Sequence, residues 1–343
     1  MRLACLALGL ILWAASLAAL EVEDHQRYPG TGPVTVRVLS TADREVFEPF
    51  ILRFQAARPE IGIDYTVASS AESHRAIQSG AQFDLVISSA MDLQFQLAND
   101  GFARPYSSDA TASLPDWARW RDHVFAFTSE PAVTVISTAR FDGLARPTSR
   151  QELISLLRDN PDRFQRAVGT YDIRSSGLGY LFATQEARNS DAFWRLSEVM
   201  GRLDPQLYCC SGQMIDAVAR GDLAIAYNVL GSYAAQRLAE PGGAGMQILE
   251  LEDFANVMLR TALIPASAQA ETEAGAFLDA LLAEGMRLSQ DSWVLPPLNS
   301  ASDDLRLSFG PIRLGPALMV YLDPLKRRAF LESWGSAMEQ PRN

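Results

Sequence analysis

Three pairs of small hydroxyl residues stand where the chain passes from an apolar run into a helical pattern: Ser40-Thr41, Ser69-Ser70 and Ser88-Ser89. A hydroxyl beside the unpaired N–H groups of a helix N-terminus can cradle an oxyanion, which makes Thr41, Ser69, Ser70 and Ser89 candidate ligand contacts. Serine and threonine are also the preferred helix N-caps, each contributing about 1 kcal/mol, so one such pair says little. Three at successive strand ends point to a binding crevice. Further on, Arg174 precedes a small-residue turn, Ser175-Ser176-Gly177, that opens another helix. A guanidinium there offers a bidentate fork to a carboxylate or phosphate, although Arg174 can equally pair with a surface carboxylate. Tyr227 and Asn228 close a strand-like run and add a hydroxyl and an amide, with core packing as the alternative.

Catalytic readings find less. The chain has no Gly-x-Ser-x-Gly elbow, no His-Glu-x-x-His and no Ser-x-x-Lys. Its three histidines, His25, His74 and His123, are scattered without metal-ligand spacing, so no His-based metal site and no cofactor are expected. His74, beside the Ser69-Ser70 turn, reads either as a ligand contact or as a solvated helix residue. The only lysine, Lys326, lies in a basic run near the C-terminus, which excludes a Walker A loop and a Schiff-base enzyme. With 41 acidic against 30 basic residues the net charge is −11, so nucleic acid is not an expected partner.

These residues need elements to position them. Apolar alternation and helical spacing predict a strand over 34–39, a helix over 43–58, a strand over 61–67, a helix over 72–78, a strand over 83–87 and a helix over 91–99. This order specifies an α/β lobe with a mostly parallel sheet. Residues 125–136, interrupted by Pro131, read as an extended crossing segment. Helices over 151–158, 178–187, 191–202 and 213–220, with strand-like pieces at 167–169, 223–227 and 246–251, form a second α/β lobe. Residues 257–264 are again apolar and extended, and helices follow at 273–288 and 324–338. At 343 residues two lobes are expected, the first from 34–128 plus 263–343 and the second from 129–262.

Met1-Arg2, an apolar run to Leu17 and small residues around Ala18 read as a secretory leader over 1–18, with an uncleaved N-terminal anchor as the alternative, and a cleaved leader implies a mature chain in the periplasm. Two cysteines then remain, the neighbours Cys209 and Cys210, read either as a vicinal disulfide or as two thiols. They cannot staple distant parts of the chain.

The order of elements over roughly 34–340, together with Phe54-Gln55-Ala56-Ala57-Arg58-Pro59, Gln82-Phe83-Asp84-Leu85-Val86-Ile87-Ser88-Ser89 and Ala219-Arg220-Gly221-Asp222-Leu223-Ala224-Ile225-Ala226-Tyr227-Asn228, resembles type II periplasmic solute-binding proteins, in the branch that holds ferric-iron, thiamine and sugar-phosphate binders. The tail from Gly315 to Arg328 resembles members linked to sensor kinases for organic acids. The resemblance implies a two-lobed α/β fold with an interlobe cleft and a monomer that closes on a small anionic solute. Its partner would be a membrane ABC permease or the periplasmic domain of a sensor kinase. Ferric binders of this branch carry two adjacent tyrosines; here Tyr227 and Tyr233 are separated, which favours an organic anion, with ferric iron on tyrosine oxygens kept as an alternative. A secreted enzyme using the same crevice is the competing class.

Overall fold

The computed structural model describes residues 20–249, 251–253, 255–287, 295–298 and 311–340; the leader expected over 1–18 lies outside them. The first lobe is built on β1 (Asp24–Tyr28), β2 (Thr35–Ser40), α1 (Arg44–Ala57), β3 (Gly62–Val67), α2 (Ser70–Gln78), β4 (Leu85–Ser88) and α3 (Met91–Asn99). β2 pairs in parallel with β3 on one side and β4 on the other, while β1 adds an antiparallel edge to β3. All four residues of β4 are buried, as expected for a central strand covered on both faces. α1 presents Val46, Phe47, Phe50, Ile51 and Phe54 to this sheet at helical spacing.

A short helix, α4 (Asp109–Ala112), and β5 (Arg119–Trp120) lead into β6 (Val124–Ser137), which serves both lobes. Its first half, to Pro131, pairs antiparallel with β11 (Val257–Leu263), itself antiparallel to β4. Its second half pairs with β9 (Ile225–Leu230) and β10 (Met246–Leu249). Pro131, which has no N–H to give a ladder, sits at the changeover. One residue on, the Ala132 N–H donates to the Asn256 carbonyl at 2.7 Å, so the outgoing and returning strands cross between the lobes side by side.

The second lobe continues through α5 (Arg150–Asp159), α6 (Pro161–Phe164), β7 (Val168–Tyr171), α7 (Gly177–Asn189), α8 (Phe193–Arg202), β8 (Gln206–Tyr208), α9 (Ser211–Ala219) and α10 (Gly231–Ala239). The strands run β1-β3-β2-β4-β11-β6-β9-β7-β8, with β5 and β10 also paired to β6. After α11 (Glu271–Gly285) the chain passes the crossing point again, Ile312 bonding to Val257 and Leu314 to Trp117. It ends in α12 (Pro324–Met338).

Several elements differ from expectation. The stretch around His25, ahead of the first strand expected over 34–39, forms β1, tied to β3 by the His25–Asp64 and Arg27–Asp64 pairs. β8, a short strand at the sheet edge, carries no periodic signal. α12, grouped above with the first lobe, packs on α8 of the second. A Cβ on Gly201 of α8 would lie 2.0 Å from the Ala337 carbonyl oxygen, so only glycine permits this approach. Phe330 of α12 meets Tyr180, Phe193, Trp194 and Tyr321. Amphipathic spacing shows that a helix has a buried face but not which lobe covers it. Cys209 and Cys210 are joined in a vicinal disulfide.

Candidate functional site

A cleft of about 1410 Å³ opens between the lobes. Its first-lobe wall comes from α2 and α3, including Ser69, His74, Asp92 and Leu93, and its second-lobe wall from Arg174 to Gly177, Tyr180 and Cys209. Arg327 and Arg328 of α12 close one end. The walls are set by strand-to-helix turns. Ser69 caps α2 by accepting the Glu72 N–H at 3.2 Å, and Ser176 caps α7 by accepting the Gly179 N–H at 3.1 Å, so two capped helix N-termini open beside the same space.

Five of the ten residues singled out from sequence line this cleft: Ser69, Arg174, Ser175, Ser176 and Gly177. Ser70 stands at the point where the lobes meet, since a Cβ on Gly177 would fall 2.6 Å from its Oγ. Thr41 and Ser89 join the ends of β2 and β4: the Ser89 N–H donates to Thr41 Oγ1 at 3.0 Å and their hydroxyls lie 3.3 Å apart.

Three assignments are corrected. Arg174 does not offer an empty fork: its Nε and Nη2 each donate to Asp172 at 2.8 Å and its Nη1 to Glu339 at 2.5 Å. The two carboxylates hold its charge and raise its pKa. Tyr227 and Asn228 turn into the second lobe, where the tyrosine hydroxyl donates to Glu186 at 2.5 Å and the asparagine amide to its other oxygen at 2.7 Å. Glu186 is fully buried and paired with Arg150 at 2.5 Å, so both residues complete a charge network away from the cleft. Asn228 reaches it with φ +60°, a left-handed conformation that asparagine tolerates.

Sequence reasoning missed the charges at the crossing strands. Arg260 in β11 and Glu130 in β6 are both fully buried and form a fork, Nε to Oε1 at 2.9 Å and Nη2 to Oε2 at 3.3 Å. Thr128 at 2.9 Å and Ser232 at 2.5 Å also donate to this carboxylate. Burial opposes the charge on Arg260, but Glu130, together with Tyr233 and Tyr65, more than offsets this and the arginine's pKa is raised. Its Nη1 has no hydrogen-bond partner among the described residues. Arg260 pairs with Thr128 where the crossing strands meet, and its charge lowers the pKa of Asp43, Tyr171 and Tyr233 against the rise that burial causes. Tyr233 spans them, its hydroxyl accepting the Asp43 N–H at 3.2 Å. The available signal was a lone arginine inside the otherwise apolar run 257–264, matched by Glu130 in 125–136.

Two α/β lobes joined by crossing strands, with a polar cleft between them, define the type II periplasmic binding fold. Residues 36–288 match the bacterial extracellular solute-binding protein family, and the chain belongs to it. The substrate-binding protein of an ABC transporter from Agrobacterium tumefaciens is 29% identical, with a TM-score of 0.85 over 92% of this chain and 98% of that one. AfuA from Actinobacillus pleuropneumoniae, solved with fructose-6-phosphate, is 16% identical with a TM-score of 0.70 over 90% and 100%. Iron-bound HitA from Pseudomonas aeruginosa is 15% identical with a TM-score of 0.64 over 89% and 99%. No curated protein matches the chain. Among the described residues no helix is long and apolar enough to cross a membrane.

Proposed function

We propose that this protein is the receptor of an ABC transporter and traps a small anionic solute by closing its lobes. On this reading it works in the periplasm after removal of residues 1–18, and Edman sequencing of the exported protein should begin at residue 19 or 20. The permease partnership is supported by the Agrobacterium tumefaciens relative. The anion assignment rests on Arg260. A buried guanidinium with one nitrogen unpartnered among the described residues is costly unless a ligand completes it, and this one sits on the strands that cross between the lobes. The capped N-termini of α2 and α7 add partial positive charge along the cleft walls. Arg174, spent on Asp172 and Glu339, is no longer part of this assignment. Iron is disfavoured because Tyr227 is committed to Glu186.

The test is a thermal-shift screen of the mature protein against phosphate esters, di- and tricarboxylates, sulfate and ferric citrate. A ligand at 100 times its Kd adds about 2.7 kcal/mol of stability. Arg260→Met should abolish the response to the anion found. Because removing one member of a buried pair costs about 3–5 kcal/mol, the double change Arg260→Met with Glu130→Met serves as the folded control. An anion that binds the double variant as tightly as the wild type retires the assignment.

A further inference from the structure

The outer part of the cleft carries two polar atoms with nothing to bind. Asp92, in the first turn of α3, is only 2% exposed, and its Oδ1 has no partner among the described residues, the backbone N–H groups of Asp92 and Leu93 notwithstanding; His74 in α2 has the same deficit at Nε2 beside Gln96. Both residues line the cleft, and α2 packs on α3, so the two atoms belong to one wall. Unsatisfied buried polar groups are rare in folded proteins, and two on one wall of an open cleft mark a place shaped for a ligand group. The groups opposite do not fill the deficit. The Tyr180 hydroxyl donates to the Tyr321 carbonyl at 2.6 Å, and the Arg327 guanidinium lies over the Tyr180 ring, 5.3 Å from its centroid.

We propose that Asp92 and His74 form a subsite for a hydroxyl group of the solute, which is therefore a hydroxylated anion; the anionic half of this statement rests on the function proposed above. Asp92 offers an acceptor, and a donor as well when its carboxyl is protonated, both of which a hydroxyl can answer. His74 is kept neutral by burial, and its Nε2 donates or accepts according to tautomer. A hydroxyl that donates its one hydrogen to the carboxylate accepts from Nε2–H with its lone pair, whereas an ammonium, which has no lone pair, requires the opposite tautomer. Arg327 already acts electrostatically on both residues, so a second cation is disfavoured there. The cleft, at about 1410 Å³, is far larger than a bare inorganic anion requires.

Three phosphate esters separate the possibilities by calorimetric titration: ethyl phosphate has no extra donor, glycerol 3-phosphate adds hydroxyls, and phosphoethanolamine adds an ammonium. The wild type should bind glycerol 3-phosphate about tenfold or more tighter than ethyl phosphate. Asp92→Leu, at a buried position, and His74→Phe, at a half-buried one, should erase that preference and leave ethyl phosphate unchanged. Equal affinities in the wild type, or a preference surviving in both variants, overturn the subsite; a preference for phosphoethanolamine overturns the hydroxyl. A second measurement does not depend on the anion. Titrating glycerol alone should shift the His74 ring resonances in the wild type and not in Asp92→Leu, and a missing shift overturns the proposal even if no phosphate ester binds.

Discussion

The arginine that sequence favours as an anion fork and the arginine that structure favours differ in one respect, the number of carboxylates each has to answer. Arg174 is half exposed and answers two, Asp172 and Glu339. Arg174→Ala should therefore change solute affinity by less than about threefold and cost about 1 kcal/mol or less, measured by titration and urea unfolding, as for an exposed ion pair. A hundredfold loss of affinity would restore it to the site. Glu339, 165 residues away, is why this was illegible: a local turn motif does not disclose a distant partner. Asp92 was equally hidden, as one acid in a helix's first turn, where acids are ordinary. Its burial pushes the carboxyl up to about 7. Between the ordinary carboxylate range and that value the folded protein holds a proton the unfolded chain releases, so this group's stabilising contribution is lost as pH rises toward 7. Arg327 of α12 lies near it with the opposite effect, and half-buried His74 acts in the reverse sense at acid pH. The difference between wild type and Asp92→Asn isolates the carboxyl: unfolding midpoints at pH 5 and pH 8 should fall for the wild type and stay flatter in the variant, by an amount on the order of a few kcal/mol.

Among the elements, those fixed by local pattern were readable. The alternation of β2, the buried run of β4 and the serine caps of α2 and α7 all act within a few residues of themselves. Edge strands β1 and β8 and the side taken by α12 were not, because each depends on a partner far along the chain. For α12 that partner is Gly201. Gly201→Ala places a methyl into the Ala337 carbonyl, a backbone atom that cannot yield cheaply, so it should lower thermal stability by about 1–3 kcal/mol and expose Trp334 to quenching. Unaltered fluorescence would mean that α12 is not held at this point. The vicinal disulfide lies at the opposite extreme. It immediately precedes α9, and Cys209 lines the cleft, yet it closes the shortest loop a chain can form. Reduction should cost global stability only about 1 kcal/mol, read from unfolding with and without dithiothreitol, since the chain entropy removed grows with loop length.

At the scale of the whole molecule, the lobes meet beyond their crossing strands at Tyr233 against Asp43 and at the start of α7 against α2 and α3. The second depends on a missing side chain. At Gly177 a Cβ would meet Ser70 Oγ at 2.6 Å and Leu93 Cδ1 at 2.8 Å, so the lobes approach this closely only because the residue is glycine. A branched side chain there leaves each lobe's core untouched but holds the walls apart. A solute bridging both walls then has contacts to only one, and its binding free energy no longer offsets the cost of closure. In small-angle scattering the wild type should contract when the solute is added, whereas Gly177→Val should keep the radius of gyration of the ligand-free protein and bind at least about tenfold more weakly, with a normal unfolding midpoint. Contraction of Gly177→Val to the wild-type value would show that the lobes close about some other contact, and the cleft walls would then have to be assigned afresh.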